Sequence, residues 1–333
     1  ITTISTMLLL VLAEFIAKKI LKKDEQVSIV YAKNNRGNHL NKYKYTEIDP
    51  LLGWAMPKSE LNKKNIESKY NCAVLRNIIN TKSDTLIIFI TGGSTSDIAL
   101  FSYNWPSYLF KKLIGKNINI IIFNGAVAGY GSSQELLKFV RDGLSTSPEI
   151  YISYSGANEN VEPYYVSGYS YELFSNYKNN FRRESFILPN LVFLIKKTFH
   201  LERNNISLKQ NPKIVPSEQW LKNESIMNSI SESKNIKFYG ILQPVAGIAN
   251  LKPNENNTDI DNRINEYQDF YPKIKSDLLK NKPNYLFDFT NIFNKIEKPF
   301  LDDCHVKEEY QHIIADSLFQ LIIKDINLRK YSL

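Results

Sequence analysis

Cysteine and histidine are scarce in this chain, at 2 and 4 of 333 residues. So few cysteines exclude a disulfide-stapled scaffold and any multi-cysteine zinc site. Four histidines leave little room for a histidine-rich metal centre, and neither a metal nor a cofactor is expected. The Lys-Ser/Thr ending of a P-loop is missing, and no Gly-x-Gly-x-x-Gly opens a helix, so both common nucleotide fingerprints are absent. A Gly-x-Ser-x-Gly nucleophile elbow is missing too. No internal repeat is visible. Acidic residues number 34 against 42 basic ones, a net charge of +8. The lysines are scattered, many beside Asn and Ile, which reads as a solvated basic surface; no nucleic-acid partner is expected. What is present, 43% hydrophobic and 12% aromatic residues, is ample for a folded core and excludes global disorder.

Long apolar runs are rare, with one exception. Residues 1–17 read ITTISTMLLLVLAEFIA with Glu14 as the only charge, and Lys18, Lys19, Lys22 and Lys23 follow. About 17 residues is the lower limit for a helix crossing a hydrocarbon core of ~30 Å. A signal peptide would want a small-x-small cleavage site, and Val11-Leu12-Ala13 is a poor one. A buried core helix is the other alternative, but Met7 to Leu12 is apolar on every face, which suits lipid better. A transmembrane signal anchor over residues 1–23 is therefore expected. The lysines would hold that flank in the cytoplasm, so orientation stays open.

Beyond the anchor, residues 24–83 are polar and rich in Asn and Lys, and read as a linker that becomes a cap. Residues 84–328 then alternate short apolar runs with helical patterns. Strands are expected at Leu86–Ile90, Ile118–Phe123, Ile150–Tyr154, Phe238–Leu242 and Tyr285–Phe289. Helices are expected at Trp105–Leu113, from a Ser132-x-x-Glu135 capping box through Leu144, and over Glu308–Ile326. An insertion fills about residues 160–234. Such alternation means a parallel sheet with helices on both faces.

In open α/β sheets, ligands gather at the carboxyl ends of the strands. Three segments sit there: Thr91-Gly-Gly-Ser94-Thr-Ser-Asp97, Asn124-Gly-Ala126-Val-Ala-Gly129-Tyr-Gly131, and Ser155-Gly-Ala-Asn158-Glu-Asn160. Leu301-Asp302-Asp-Cys304-His305 lies just before the last helix. Together they hold the parts of serine-based acyl transfer. A serine hydroxyl needs a base, for which His305 is the candidate. The imidazole needs an orienting carboxylate, and Asp302 stands three residues before it. The oxyanion needs preorganised donors; the Ser94 N–H, a backbone N–H in the second turn and the Asn158 amide are the candidates. Singly, each part has a plainer reading: Ser94 as a turn serine, the glycines as turn punctuation, Asn158 as a cap, Asp302 as a helix N-terminal charge. Four in this order are hard to assemble by chance.

These residues resemble the SGNH/GDSL hydrolase superfamily. Gly-Gly-Ser94-Thr-Ser is similar to its first block, Asn124-x-x-x-x-Gly129 to the second, Gly156-x-Asn158-Glu159 to the third and Asp302-x-x-His305 to the last. Leu52-Gly-Trp54 and Asn71 to Arg76 resemble the pre-domain region of membrane-anchored bacterial members. The resemblance implies a three-layer, flavodoxin-like parallel sheet with Ser94, Asp302 and His305 catalytic and Asn158 an oxyanion donor. Two departures stand out: Gly93 where Asp is common, and Ala126 at the expected oxyanion glycine.

The resemblance implies an esterase removing small O-acyl groups such as acetyl from an envelope glycan or similar ester. An O-acyltransferase using the same triad, with a separate acyl-donor membrane protein as partner, is the alternative. An inactive glycan-binding envelope protein is a third. The expected location is membrane-anchored, with the catalytic domain in the periplasm or at the cell surface. Cys72 and Cys304 are either a disulfide pinning the cap near the site or two buried thiols. Tyr164, Tyr165, Tyr169, Tyr171 and Phe174 either line a sugar groove or pack the insertion.

Overall fold

The structure, a computed structural model, describes residues 12–16, 47–49, 51–56, 58–81, 83–99, 103–159, 215–249, 251–254 and 257–331. Among them, no helix is long and apolar enough to cross a membrane. The expected anchor lies outside the described residues except for residues 12–16, which are helical. The tyrosine-rich part of the insertion lies outside them as well.

By itself, the first unit contributes a small ribbon, β1 (Glu47–Asp49) and β2 (Gly53–Ala55). The Asp49 carboxylate accepts the Leu51 and Leu52 N–H groups and so forms the turn between them.

The second unit is built on a seven-stranded sheet: β3 (Glu67–Lys69), β4 (Cys72–Asn77), β5 (Thr85–Gly92), β6 (Asn119–Asn124), β7 (Ile150–Ser155), β8 (Lys237–Leu242) and β9 (Leu286–Asp288). Its order is β3-β4-β6-β5-β7-β8-β9. Strands β6, β5, β7, β8 and β9 are parallel, in the flavodoxin-like order. The expected five strands are these five. Strands β3 and β4 come from the stretch read as linker and cap. They form a hairpin turned at Tyr70 and Asn71, both at positive φ as a type I′ turn requires. β4 then runs antiparallel along β6.

Period-two alternation sends the side chains of each strand to two covered faces. On one face Leu86, Ile88, Ile90, Ile150 and Ile152 pack with Trp105, Leu109 and Leu113 of α2 (Trp105–Ile114) and Ile314, Leu318 and Ile322 of α6 (Gln311–Asp325); α1 is the short helix Lys58–Lys63. The opposite face gathers Phe89, Phe123 and Tyr151 with Phe139 and Met227. Those last two come from the segment after α3 (Ser132–Lys138) and from α4 (Pro216–Ser233). The long α5 (Thr258–Asn281) adds Tyr267, Phe270, Tyr271 and Ile274 to a third cluster with Trp220. The unit thus has three layers, helices covering both faces of the sheet.

The helix expected through Leu144 is shorter. α3 gives way to a wide π-type turn at Phe139–Gly143 and a 3-10 turn at Leu144–Thr146. Its start is also made differently from the expected capping box. Gly131 is the N-cap, and Glu135 points into the core. Glu159, from the loop after β7, takes the orphan Ser132 N–H at 2.9 Å and the Ser132 hydroxyl at 2.7 Å.

Candidate active site

The loops after β5 and β7 leave the sheet where the strand order reverses, the place at which open α/β sheets put their ligands. Ser94 sits on the first turn of the β5 loop, half-buried, with Gly93 O and Ser94 O accepting the Ser96 and Asp97 N–H groups. Gly92 must be glycine. Its φ is +159°, and a Cβ would lie 2.7 Å from Ser96 Oγ and 2.8 Å from the Tyr154 carbonyl. Asn124 braces this turn against the next one, donating to Ser96 O at 2.9 Å while accepting the Ala126 N–H at 3.0 Å. Asp97 adds a second brace, accepting the Ala99 and Ala128 N–H groups.

Three side chains far apart in sequence meet in a line. His305 Nε2 lies 2.7 Å from Ser94 Oγ, and His305 Nδ1 lies 2.7 Å from Asp302 Oδ2. The other Asp302 oxygen accepts the Cys304 and His305 backbone N–H groups at 3.0 and 2.9 Å. The His305 carbonyl closes the loop on the Leu301 N–H. Each carboxylate oxygen therefore has a separate task, one fixing the backbone and one the ring. Asn158 approaches from the β7 loop, its amide donating to Tyr130 O at 2.9 Å.

Burial works to raise the Asp302 pKa, but the His305 cation and the N–H bonds from His305 and Cys304 hold the carboxyl down at about 2. For His305, burial pulls the other way. Asp302, with a smaller part from Cys304, lifts the imidazole well above its ordinary value. Asp302, Cys304 and His305 offer ligand atoms within 4.8 Å of one another. The Asp302–His305 spacing is that of a hydrogen bond, with no room for a cation between those two atoms.

No family model matches the sequence, and no curated protein does. Solved structures similar to this chain include the acetyl xylan esterase AlAXEase, at 14% identity over 71% of this chain and 100% of that one, with a TM-score of 0.43. A GDSL-like lipase from Bacteroides thetaiotaomicron is similar at 14% identity over 72% and 89%, with a TM-score of 0.41. An acetylxylan esterase from Geobacillus stearothermophilus is similar at 13% identity over 73% and 95%, with a TM-score of 0.40. What assigns chemistry to this chain is the placement of its own side chains.

One expectation needs correction. Ala126 is fully buried and its N–H is already donated to Asn124, so it is not free to hold an oxyanion. Gly129 lies on the same turn. It adopts φ +84°, and its N–H donates to no acceptor among the described residues, as is true of the Ser94 N–H. It is the glycine that closes the second motif. Of the two readings of the cysteines, the structure holds the second: Cys72 and Cys304 are free, buried thiols in different hydrophobic clusters. His312 is exposed on α6, edge-on to Tyr108.

A second polar cluster lies beneath the site. Glu135 and Glu224, both fully buried, meet at one hydroxyl. Ser153 Oγ is 3.0 Å from Glu135 Oε2 and 2.8 Å from Glu224 Oε1. Thr91 also bonds Glu135, and Ser155, itself held by the Trp220 indole N–H, bonds Glu224. Gly240 on β8 leaves the space that the Glu224 carboxyl fills. Burial, then the charge of Glu135, raises the Glu224 pKa well above the carboxylate range.

Proposed function

We propose that this protein is a serine-dependent carboxylic ester hydrolase working through an acyl-enzyme. One observation carries the reading: the continuous hydrogen-bonded line from Ser94 Oγ through both ring nitrogens of His305 to Asp302. In the first step His305 Nε2 takes the Ser94 proton as Oγ attacks the ester carbonyl. Asp302 holds the Nδ1–H tautomer and stabilises the imidazolium that forms. The oxyanion is received by the Ser94 N–H, the Gly129 N–H and the Asn158 amide, with Gly129 replacing Ala126 in that role. Collapse expels the alcohol, which takes its proton from His305. Water then attacks the acyl-serine by the same route, releasing the acid and free Ser94.

The natural ester is a small O-acyl group, acetyl above all, on an envelope glycan, and the chain is held at the membrane by the apolar segment over residues 1–17. What supports this part is the sequence: the apolar run and the resemblance of the regions around Leu52 and Asn71 to anchored bacterial members.

The test is hydrolysis of p-nitrophenyl acetate by the full chain beside its Ser94→Ala variant, with fluorophosphonate labelling followed by peptide mapping. Serine-dependent turnover with the label on Ser94 is the expected result. A label on Ser94 without turnover in water, restored by a sugar acceptor, would favour the transferase. Neither label nor turnover from folded protein would leave a glycan-binding module.

A further inference from the structure

We propose that Arg263 is a positioning residue that ties the loop carrying Asp302 and His305 to the loop carrying Asn158. The inference rests on the serine reading above. Arg263 sits early in α5, and it is only 5% exposed, an unusual place for a cation unless its N–H groups are used. Those on its two terminal nitrogens are. One terminal nitrogen donates to the carbonyl of Ala157, the residue before Asn158, and to the Tyr267 hydroxyl at 3.1 Å. The other donates to Glu266 at 2.5 Å. The guanidinium Nε makes no hydrogen bond and faces Asp303 Oδ2 at an ion-pair distance of 3.5 Å, and Asp303 follows Asp302 directly. Tyr267, one turn along the helix, donates its hydroxyl to that same Asp303 oxygen at 2.5 Å, and its ring lies 4.9 Å from the guanidinium carbon.

The consequence is geometric. The base and its orienting carboxylate come from the last loop, and an oxyanion donor comes from the loop after β7. A tetrahedral intermediate needs both at once, within tenths of an ångström. A planar guanidinium holds the Ala157 carbonyl by a hydrogen bond and Asp303 by an ion pair at one fixed angle, with the Tyr267 hydroxyl bonded to both Arg263 and Asp303, which an ammonium on a flexible stem cannot do. Arg263 thus sets the distance between the two halves of the site without touching substrate.

The experiment compares Arg263→Gln, Arg263→Lys and the double variant Arg263→Gln/Asp303→Asn. The double variant leaves no unpaired buried charge if the single one folds poorly. Two readouts are taken on the full chain: hydrogen–deuterium exchange, and the kcat and KM of Ser94-dependent ester hydrolysis. Expected is faster exchange in the peptides covering 156–159 and 301–306 together, with β5 and β7 unchanged. Misplacement of this kind costs about 10²-fold, so kcat should fall by about that factor while KM moves less than about threefold, and Arg263→Lys should not restore it. Loosening of one loop alone, loosening throughout the sheet, an unchanged kcat or full rescue by lysine would each overturn the proposal. Exchange needs no substrate. A wild type with no Ser94-dependent turnover would sink the serine reading, while the tie between the loops would still be decided by the exchange pattern.

Discussion

A Cβ on residue 93 would stand 2.5 Å from Asn158 Nδ2. Gly93 and Asn158 therefore share one space, and the amide can lie beside the Ser94 turn only because residue 93 has no side chain.

Gly93→Ala should accordingly push Asn158 off the Tyr130 carbonyl. Loss of one oxyanion donor costs ~10²–10³ in rate, so ester hydrolysis should fall about 10²-fold. The melting temperature should move little, since the displaced group is a side-chain tip. Steady-state kinetics beside a thermal melt check both halves; an active Gly93→Ala protein would remove Asn158 from the oxyanion site.

Ser94→Ala and His305→Ala should each lower turnover by roughly 10⁴-fold or more, with folding intact. Asp302→Asn should cost no more than His305→Ala, because it spoils the tautomer and leaves the base in place. Circular dichroism verifies the fold, and kcat/KM orders the three variants.

The pH dependence follows from the raised pKa of His305. A general base works only when neutral, so a raised pKa delays activity to higher pH. kcat/KM should rise with pH through a midpoint above the ordinary imidazole value of about 6.5. Asp302→Asn removes the main group raising it, and its residual activity should show a lower midpoint. A pH–rate profile of both proteins decides the matter; a wild-type midpoint at or below 6.5 would contradict the assignment.

Glu224 provides an independent check on the core. Its folded-state pKa is raised, so the neutral acid is the form that the fold prefers. The stability this contributes is complete below the unfolded pKa of about 4.3 and is lost as pH rises toward the folded pKa. Glu224→Gln lacks this titration. Its melting temperature relative to wild type should therefore improve steadily between pH 4 and pH 8. A pH-independent difference would mean that Glu224 does not titrate with folding.

The thiols should be inert in the native state. Burial above all pushes Cys72 up to about 12 and Cys304 up to about 11, so neither is an appreciable thiolate at neutral pH. Iodoacetamide should modify both only on unfolding, and a reductant should leave the melting temperature unchanged. Intact-mass spectrometry with and without denaturant reads this directly.

Much of this arrangement was legible from residue order alone, and the exceptions have physical causes. The five parallel strands announced themselves because buried strands are near-continuous apolar runs, as Leu86 to Ile90 illustrates. Strands β3 and β4 did not. β3 is three residues, mostly exposed, and β4 carries Arg76 and Asn77 toward its open end. Ser94, Asn158, Asp302 and His305 could be picked out because each follows a strand or precedes the last helix, and the fold brings all four to one edge. Glu135 was misread because Ser-x-x-Glu satisfies a local rule, whereas Thr91 and Ser153, distant in sequence, hold that carboxylate in the core. Arg263 had no local signal at all. On a helix rich in Asp, Glu and Lys, nothing short of the tertiary structure distinguishes it from its solvated neighbours.

The upstream hairpin has a practical side. β4 lies along β6 and occupies the hydrogen-bonding edge that the parallel strands would otherwise leave bare. Lys138, fully buried, fastens the hairpin turn by donating to the Asn71 carbonyl at 2.7 Å while paired with Asp142 at 2.8 Å. A shortened version starting at Asp84 would keep every residue of the candidate site and still strip that edge, taking away the carbonyl that Lys138 bonds and leaving Asn119–Asn124 open to pairing with another molecule. Such a fragment should come out of expression as aggregate, whereas one starting at Ala55 carries the hairpin with it and is the version to take into crystallisation and kinetics.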